Sequence, residues 1–350
     1  MQVKLGVYAE RTGAQNAIST RKAVYLYKVK PAENEHIKQL KWTDRADSLP
    51  CIDAIEPGAF NDLAELEYIT TDGSKSDNSV PDAYCGLLWQ HFATGSTLIC
   101  CPQMFFQTPE HVDLPGVPPF AQNITLGAYS FYNVKFRLTT PEASGESLRQ
   151  FCFTGRELPS ISGIGDCAFA NTNLTQLTLW PELCGIGMYA FMNCTDLKVV
   201  DCFSSKTSFG LTKLATGTFY NCNSLEEVTL PEGVVYIGTN VFANCRNLKC
   251  VRIPKSLSCI CKDAFKECGD VRIVVPSDSH LRHVGIAEHV YLAGEPELAT
   301  NKHRASDMQL EYYRNNYAIQ NICSIAALGG NVRFEGANSL VKMPSILQKA

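Results

Sequence analysis

No run of about 18 consecutive apolar residues occurs in this chain of 350 residues, so no stretch has the length and hydrophobicity of a membrane-spanning helix. The opening segment, "MQVKLGVYAERTGAQNAISTRKAVYLYKV", lacks the apolar core of an export signal. Charge is scarce as well: charged residues make up 19% of the chain and the net charge is -4, which disfavours a basic nucleic-acid binder. Catalytic signatures are missing. There is no G-x-S-x-G elbow, no P-loop, no dinucleotide fingerprint following a strand and no H-E-x-x-H pair. "GGNVRFEG", near the end, has glycines at the wrong spacing to cradle phosphate. His280, His283 and His289 are near neighbours in sequence, but no helix pattern brings them to one face. The expectation is a non-catalytic protein with neither cofactor nor metal.

Cysteine, by contrast, is abundant, with sixteen in the chain. No CxxC…CxxC array has zinc spacing, and the chain is too long to be a small disulfide-stapled domain. In a reducing compartment such residues act as small apolar side chains. Cys100–Cys101 and Cys259-x-Cys261 are cysteine pairs without a paired basic motif, so no catalytic thiol is expected there. Asn123, Asn173 and Asn193 begin N-x-T sequons at a frequency that chance supplies.

What dominates the sequence is self-similarity. "IGDCAFANTNLTQLTLWP", "IGMYAFMNCTDLKVV" and "IGTNVFANCRNLKCVRIP" are variants of one phrase. Anchored on phenylalanine, it recurs at Phe169, Phe191, Phe219, Phe242 and Phe265, at spacings of 22, 28, 23 and 23. The long interval holds extra residues around "DCFSSKTSFG". Cys194, Cys222, Cys245 and Cys268 follow their phenylalanines at a fixed distance, and Asn193, Asn221 and Asn244 precede three of these cysteines as turn residues. An L-x-x-V-x-L-P segment comes next, as in "LEEVTLP" from Leu225. A fixed period of this length signals a solenoid. Within one copy, Leu225, Val228 and Leu230 suit a short extended segment that Pro231 terminates. The glycine of "IG" suits a tight turn, and Ile and Phe point inward. One copy cannot bury both of its faces, whereas stacked copies place like on like and build a continuous core, with strands of neighbouring coils about 4.8 Å apart. In-register cysteines on parallel coils point the same way, which favours free core thiols over bridges.

Between the core positions, one row of outward residues comprises Thr178, Asp201, Thr229 and Arg252, and a second comprises Gln176, Glu227 and Cys250. Rows of this kind are how solenoids hold partners. The rows are mixed in charge and contain no aromatic series for stacking bases or sugars, which points to a protein partner.

The combination "IGxxAFxNCxxLxxVxIP" at a period of 22–23 residues resembles the BspA-like leucine-rich repeat family, the Treponema pallidum type. The resemblance extends upstream. "IDAIEPGAFNDLAELEYI" looks like a divergent copy anchored on Phe60, and "LPGVPPFAQNITLGAYSFYN" like one anchored on Phe131. "DAYCGLLWQHFATGSTLICCP" is similar to an insertion frequent in the family. The resemblance implies a right-handed coil of short parallel strands, of the α/β repeat-solenoid class. Family members are usually surface or adhesion proteins of bacteria and protists.

The expected organisation is a non-repeat cap over residues 1–50, a solenoid over 51–276 that is irregular at 70–162, and a C-terminal extension over 277–350 with an amphipathic helix near 306–328 ending at Gly329–Gly330. The expected function is a protein-interaction or scaffold module using the strand face and end-caps, as a cytoplasmic chain or part of a larger assembly. The alternatives are a secreted or cell-surface adhesin whose signal has been removed, and an enzyme or metal site at the solenoid's C-terminal end.

Overall fold

The computed structural model describes residues 2–8, 23–42, 54–71, 82–84, 87–92, 95–100, 105–106, 123–138, 150–151, 161–202, 209–281, 283–287 and 325–336. The chain forms two compact units, one of Met1–Arg149 with Phe153–Thr172, the other of Gln150–Cys152 with Asn173–Ala350.

The second unit is the regular one. Seven strands form a parallel sheet in the order Gln150–Phe151, Gln176–Leu179, Val199–Cys202, Glu227–Thr229, Cys250–Arg252, Asp270–Val274 and Asn331–Glu335. We call this the face sheet. A second parallel sheet runs through Lys213–Leu214, Tyr236–Ile237, Cys259–Cys261 and His283–Ile286. The four coils whose face strands are Val199–Cys202, Glu227–Thr229, Cys250–Arg252 and Asp270–Val274 each contribute one short strand to both sheets, and tight corners built around the phenylalanines join the two. Leu225, Val228, Ile237 and Phe242 are among the wholly buried side chains between the sheets. The structure is the repeat solenoid of short parallel strands that the period implies.

The corners explain why the sequence repeats. Residues two before and two after each phenylalanine from Phe131 to Phe265 have positive φ. In the coil of Phe219 these are Gly217 (64°) and Asn221 (60°), and in the coil of Phe242 they are Asn240 (57°) and Asn244 (62°). Asparagine tolerates this left-handed conformation better than most residues. The twist directs alternate N–H groups along the stack. Phe191 donates to Thr218 O at 2.9 Å, Asn193 to Tyr220 O at 2.9 Å, and Asn221 to Ala243 O at 2.8 Å. Corner N–H groups buried inside the stack thereby find carbonyl partners on the next coil.

The glycine of "IG" does something other than turn the chain, which corrects the sequence reading. Gly165 and Gly238 are not among the positive-φ glycines. Gly238 donates to Leu214 O at 3.0 Å, and a Cβ there would lie 3.0 Å from that oxygen and 3.1 Å from Thr216 N. Glycine is needed because one coil's backbone presses against the next.

In the first unit, Ala23–Lys30 pairs antiparallel with Gln2–Tyr8 and parallel with Ala54–Ile55. Gln39–Trp42 pairs in parallel with Tyr68–Thr71. Parallel stacking therefore begins with residues 23–42, ahead of the point near residue 50 where the repeat motif becomes readable. The coil anchored on Phe60 is present, with Leu26, Val29, Leu40, Leu63, Leu66 and Ile69 in its core. The insertion resembling a family feature forms antiparallel strands Asp82–Tyr84, Leu87–Phe92 and Gly95–Cys100. The last of these pairs in parallel with Ile124–Leu126, which pairs in turn with Ile161–Ile164. Phe131 stacks on Phe169 with ring centroids 4.6 Å apart.

Most of the expected helix near 306–328 lies outside the described residues. Its last four, Ile325–Leu328, form a 3₁₀ turn, and Gly329 (φ 80°) ends it. That turn closes the last corner: Asp263 donates to Ala327 O at 2.8 Å, Phe265 to Leu328 O at 2.9 Å and Glu267 to Gly329 O at 3.2 Å.

Candidate functional site

Two surfaces of the second unit carry the residues singled out by sequence, and they differ in kind. The corner ladder is interior. Rings of Phe191, Phe219, Phe242 and Phe265 lie in series at centroid distances of 5.4, 5.7 and 5.3 Å with near-parallel planes. Beside them run the cysteines, and each thiol has a defined task. Cys222 Sγ donates to Phe191 O at 3.2 Å, Cys245 Sγ to Phe219 O at 3.1 Å and Cys268 Sγ to Phe242 O at 3.0 Å. Each bond reaches back one coil to a carbonyl at its corner. Desolvation pushes the Cys222 thiol well above its ordinary pKa, and does the same to Cys268. These groups are protonated, unreactive and structural. Asn221 Nδ2 also donates to Asn193 Oδ1 at 2.8 Å, adding an amide step to the ladder. None of Cys222, Cys245 and Cys268 is in a disulfide.

The face sheet is where a partner would find exposed side chains. Register places Gln176, Val199, Glu227, Cys250, Arg272 and Arg333 in one row. In the other row Thr178 lies opposite Asp201, and Thr229, Arg252, Val274 and Glu335 follow one another. Glu227 and Arg252 are exposed and bonded to each other, Arg252 Nη1 donating to Glu227 Oε2 at 3.0 Å. Gln176 Nε2 donates to Asp201 Oδ2 at 3.2 Å. Lys249 Nζ reaches Glu226 Oε2 at 2.6 Å, which holds that carboxyl below its usual pKa.

Two expected face residues are not exposed. Thr178 is only 7% accessible, being a short side chain between Gln176 and Asp201, which bridge past it. Cys250 is 2% accessible, because the Arg272 guanidinium lies over it, with Nη2 3.7 Å from Sγ. The remaining expected members, Gln176, Asp201, Glu227, Thr229 and Arg252, keep at least partial exposure.

The structure adds three face residues that were not expected: Arg272, Arg333 and Glu335. Arg272 Nε lies 3.5 Å from Glu335 Oε2, and Arg333 Nε lies 4.0 Å from Glu335 Oε1. A signal for them exists in the sequence. "DVRIV" of Asp270–Val274 and "NVRFE" of Asn331–Glu335 share one pattern, and they pair residue for residue. Among the described residues no group of three or more His, Cys, Asp or Glu side chains is arranged to hold a metal. His280 is exposed and His283 half-buried, and His289 lies outside the described residues.

Comparison with known proteins bears on the repeat itself. Two overlapping segments, residues 124–212 and 162–284, match the BspA type leucine-rich repeat region in six copies. Residues 124–284 thus carry BspA-type leucine-rich repeats. Among solved structures it is similar to a leucine-rich repeat protein from Eubacterium ventriosum (18% identity, 73% of this chain and 56% of that one, TM-score 0.49). It is also similar to a leucine-rich cell surface protein from Faecalibacterium prausnitzii (20% identity, 72% and 49%, TM-score 0.40). The leucine-rich repeat protein of T. pallidum matches at 16% identity over 55% of this chain and 95% of its own, with a TM-score of 0.28. The chain thus spans about half the length of the first two structures. No curated protein matches it. In BspA-type terms, the phenylalanine, asparagine and cysteine of the motif form the corner, and the positions between the motif's apolar residues form the face.

Proposed function

We propose that this BspA-type repeat protein is a non-catalytic binding module that holds a protein partner on the face sheet of its second unit. The observation that carries this is the division of labour between surfaces. The repeated residues are consumed by the core and corners, whereas exposed Glu227, Arg252, Arg333 and Glu335, with half-buried Arg272 among them, form an in-register series of charges on the sheet. Such a series gives selectivity through charge pattern more than through buried area. The test compares the immobilised wild-type chain with a Glu227→Arg/Arg252→Glu exchange, which keeps the internal ion pair but reverses the pattern shown to a partner. A stoichiometric protein retained from native lysate by the wild type and lost by the exchange supports the face. Equal retention by both moves binding to another surface.

We further assign the protein to a reducing compartment, inside the cell or within a larger assembly. Support comes from the thiols of Cys222, Cys245 and Cys268, which donate hydrogen bonds that a disulfide would abolish. Thiol titration after denaturation without reductant is expected to return all sixteen cysteines. A shortfall of several thiols would favour an exported surface protein instead.

A further inference from the structure

The face sheet ends on Asn331–Glu335, and this edge is unusually open. Its five residues pair in full register with Asp270–Val274 on one side, and no strand pairs with the other side among the described residues. Such an edge presents a row of unpaired backbone groups and recruits another strand unless something blocks it. Proline and a bulge, two of the usual blocks, are absent from "NVRFE", and its charges, Arg333 and Glu335, are of opposite sign, so that a suitable register pairs them and does not set like against like. The apolar layer is also unfinished. Val271 and Ile273 are wholly buried, whereas their register partners Val332 and Phe334 remain partly exposed. Above that layer, Arg333 and Glu335 both stand exposed on the face.

We infer that this edge is a dimerisation site, occupied by the same edge of a second copy, with the two strands antiparallel about a twofold axis at Phe334. The charge arithmetic selects this register. Strands paired across a continuous sheet must match face with face, so only registers in which outward residues oppose outward residues are allowed. An axis at Arg333 would set that arginine against its own copy, and an axis at Glu335 would do the same for the carboxylate. An axis at Val332 sets Arg333 against Asn331. Only the axis at Phe334 places Arg333 opposite Glu335 of the second copy, twice. The same axis puts Phe334 against its counterpart, where it completes the exposed end of the core, and sets Val332 against Gly336. Gly336 (φ 95°) then turns the chain out of the strand. The interface is isologous and closed, so it gives a dimer and not a fibre. A five-residue edge is small beside a standard interface, so the dimer is expected to be weak, with a dissociation constant of about 1–100 μM.

The test is sedimentation velocity on the full chain over a concentration series, with thermal melts confirming that each variant is folded. The wild type is expected to shift from monomer to dimer as concentration rises. Arg333→Glu alone and Glu335→Arg alone each oppose like charges across the axis, and should weaken the dimer about 10-fold or more. The double exchange Arg333→Glu/Glu335→Arg restores opposite charges across the axis and should return the constant to within about threefold of the wild type. That rescue is specific to the register. A chain that stays monomeric throughout overturns the inference. So does a dimer indifferent to the single exchanges, which would lie elsewhere. A dimer that forms only after removal of residues 337–350 also overturns it, and would assign the edge to the chain's own tail.

Discussion

The corner of a coil and its face strand lie a few residues apart, yet sequence treats them oppositely. At the corner, Phe219, Asn221 and Cys222 reappear one coil on as Phe242, Asn244 and Cys245. On the face, the register partners of Glu227 are Val199 and Cys250, with nothing in common. The contrast follows from what each position must satisfy. A corner residue packs against its own copies above and below, holds a left-handed φ and pairs its backbone along the stack, so any change is felt twice. A face residue meets solvent and needs only β-compatible geometry. Repetition marks architecture, and its absence at a fixed register marks the surface left free for recognition.

The hardest blow to this contrast should be Phe219→Ala. The ring is wholly buried between Phe191 and Phe242, and its loss is expected to destabilise the second unit by about 3–5 kcal/mol in denaturant melts. A loss near zero would mean that the stacked rings do not hold the corner together.

The buried thiols come next. Desolvation raises the pKa of Cys222 and Cys268 in the folded state above the ordinary 9.0, so above that value the unfolded chain releases protons that the folded chain retains. The stabilisation is complete below about pH 9 and is lost as pH rises beyond it, at up to about 1.4 kcal/mol per pH unit for each thiol. Cys222→Ser removes one such group, because a hydroxyl does not ionise in this range. The fall in stability between about pH 8 and pH 10 should be shallower in that variant than in the wild type. Identical pH slopes would place Cys222 in contact with water.

A smaller effect is expected from backbone conformation. Asn221 has φ 60°, and its side chain donates to Asn193 Oδ1 at 2.8 Å. Alanine there keeps the strained backbone and drops the amide bond, for an expected loss of about 1–2 kcal/mol. Glycine relieves the strain and should lose less than alanine. If alanine and glycine were equivalent, the left-handed φ would have no part in the motif's asparagine.

The same contrast decides how much was legible in advance. The phenylalanine period located the corners from Phe169 to Phe265, because packing onto a neighbouring coil demands a ring at that position, and the family resemblance located those of Phe131 and Phe60. Residues 23–42 went unread as a coil. "AVYLYKVK" and "QLKW" alternate as strands do, but they lack the phenylalanine corner that marks the period. The final strand Asn331–Glu335 was hidden for a different reason: about forty residues of sequence separate it from His283–Ile286, and the period breaks there. Its likeness to "DVRIV" was the available clue. The role of glycine in "IG" was misjudged because turn and close approach demand the same residue, and only the distance from Gly238 to the Leu214 carbonyl separates them. Face membership was legible from alternation, but accessibility was not. Thr178 and Cys250 point outward and are then covered by longer neighbours, a matter of side-chain length across register that no single strand reveals.

The smallest expected effect is also the most discriminating. Arg252 is exposed and its ion pair with Glu227 has both partners close to half accessible, at 44% and 52%. Water screens such a pair, and fixing two long side chains costs entropy, so Arg252→Ala should change stability by no more than about 0.5 kcal/mol. The corresponding position in neighbouring strands is occupied by Thr229 and Val274, so neither charge nor length is required there for the sheet to form. A loss comparable to that of Phe219→Ala would make Arg252 a structural residue and remove the face from consideration as a binding surface. A neutral result in stability, paired with loss of a bound partner, is the outcome that only a recognition surface produces.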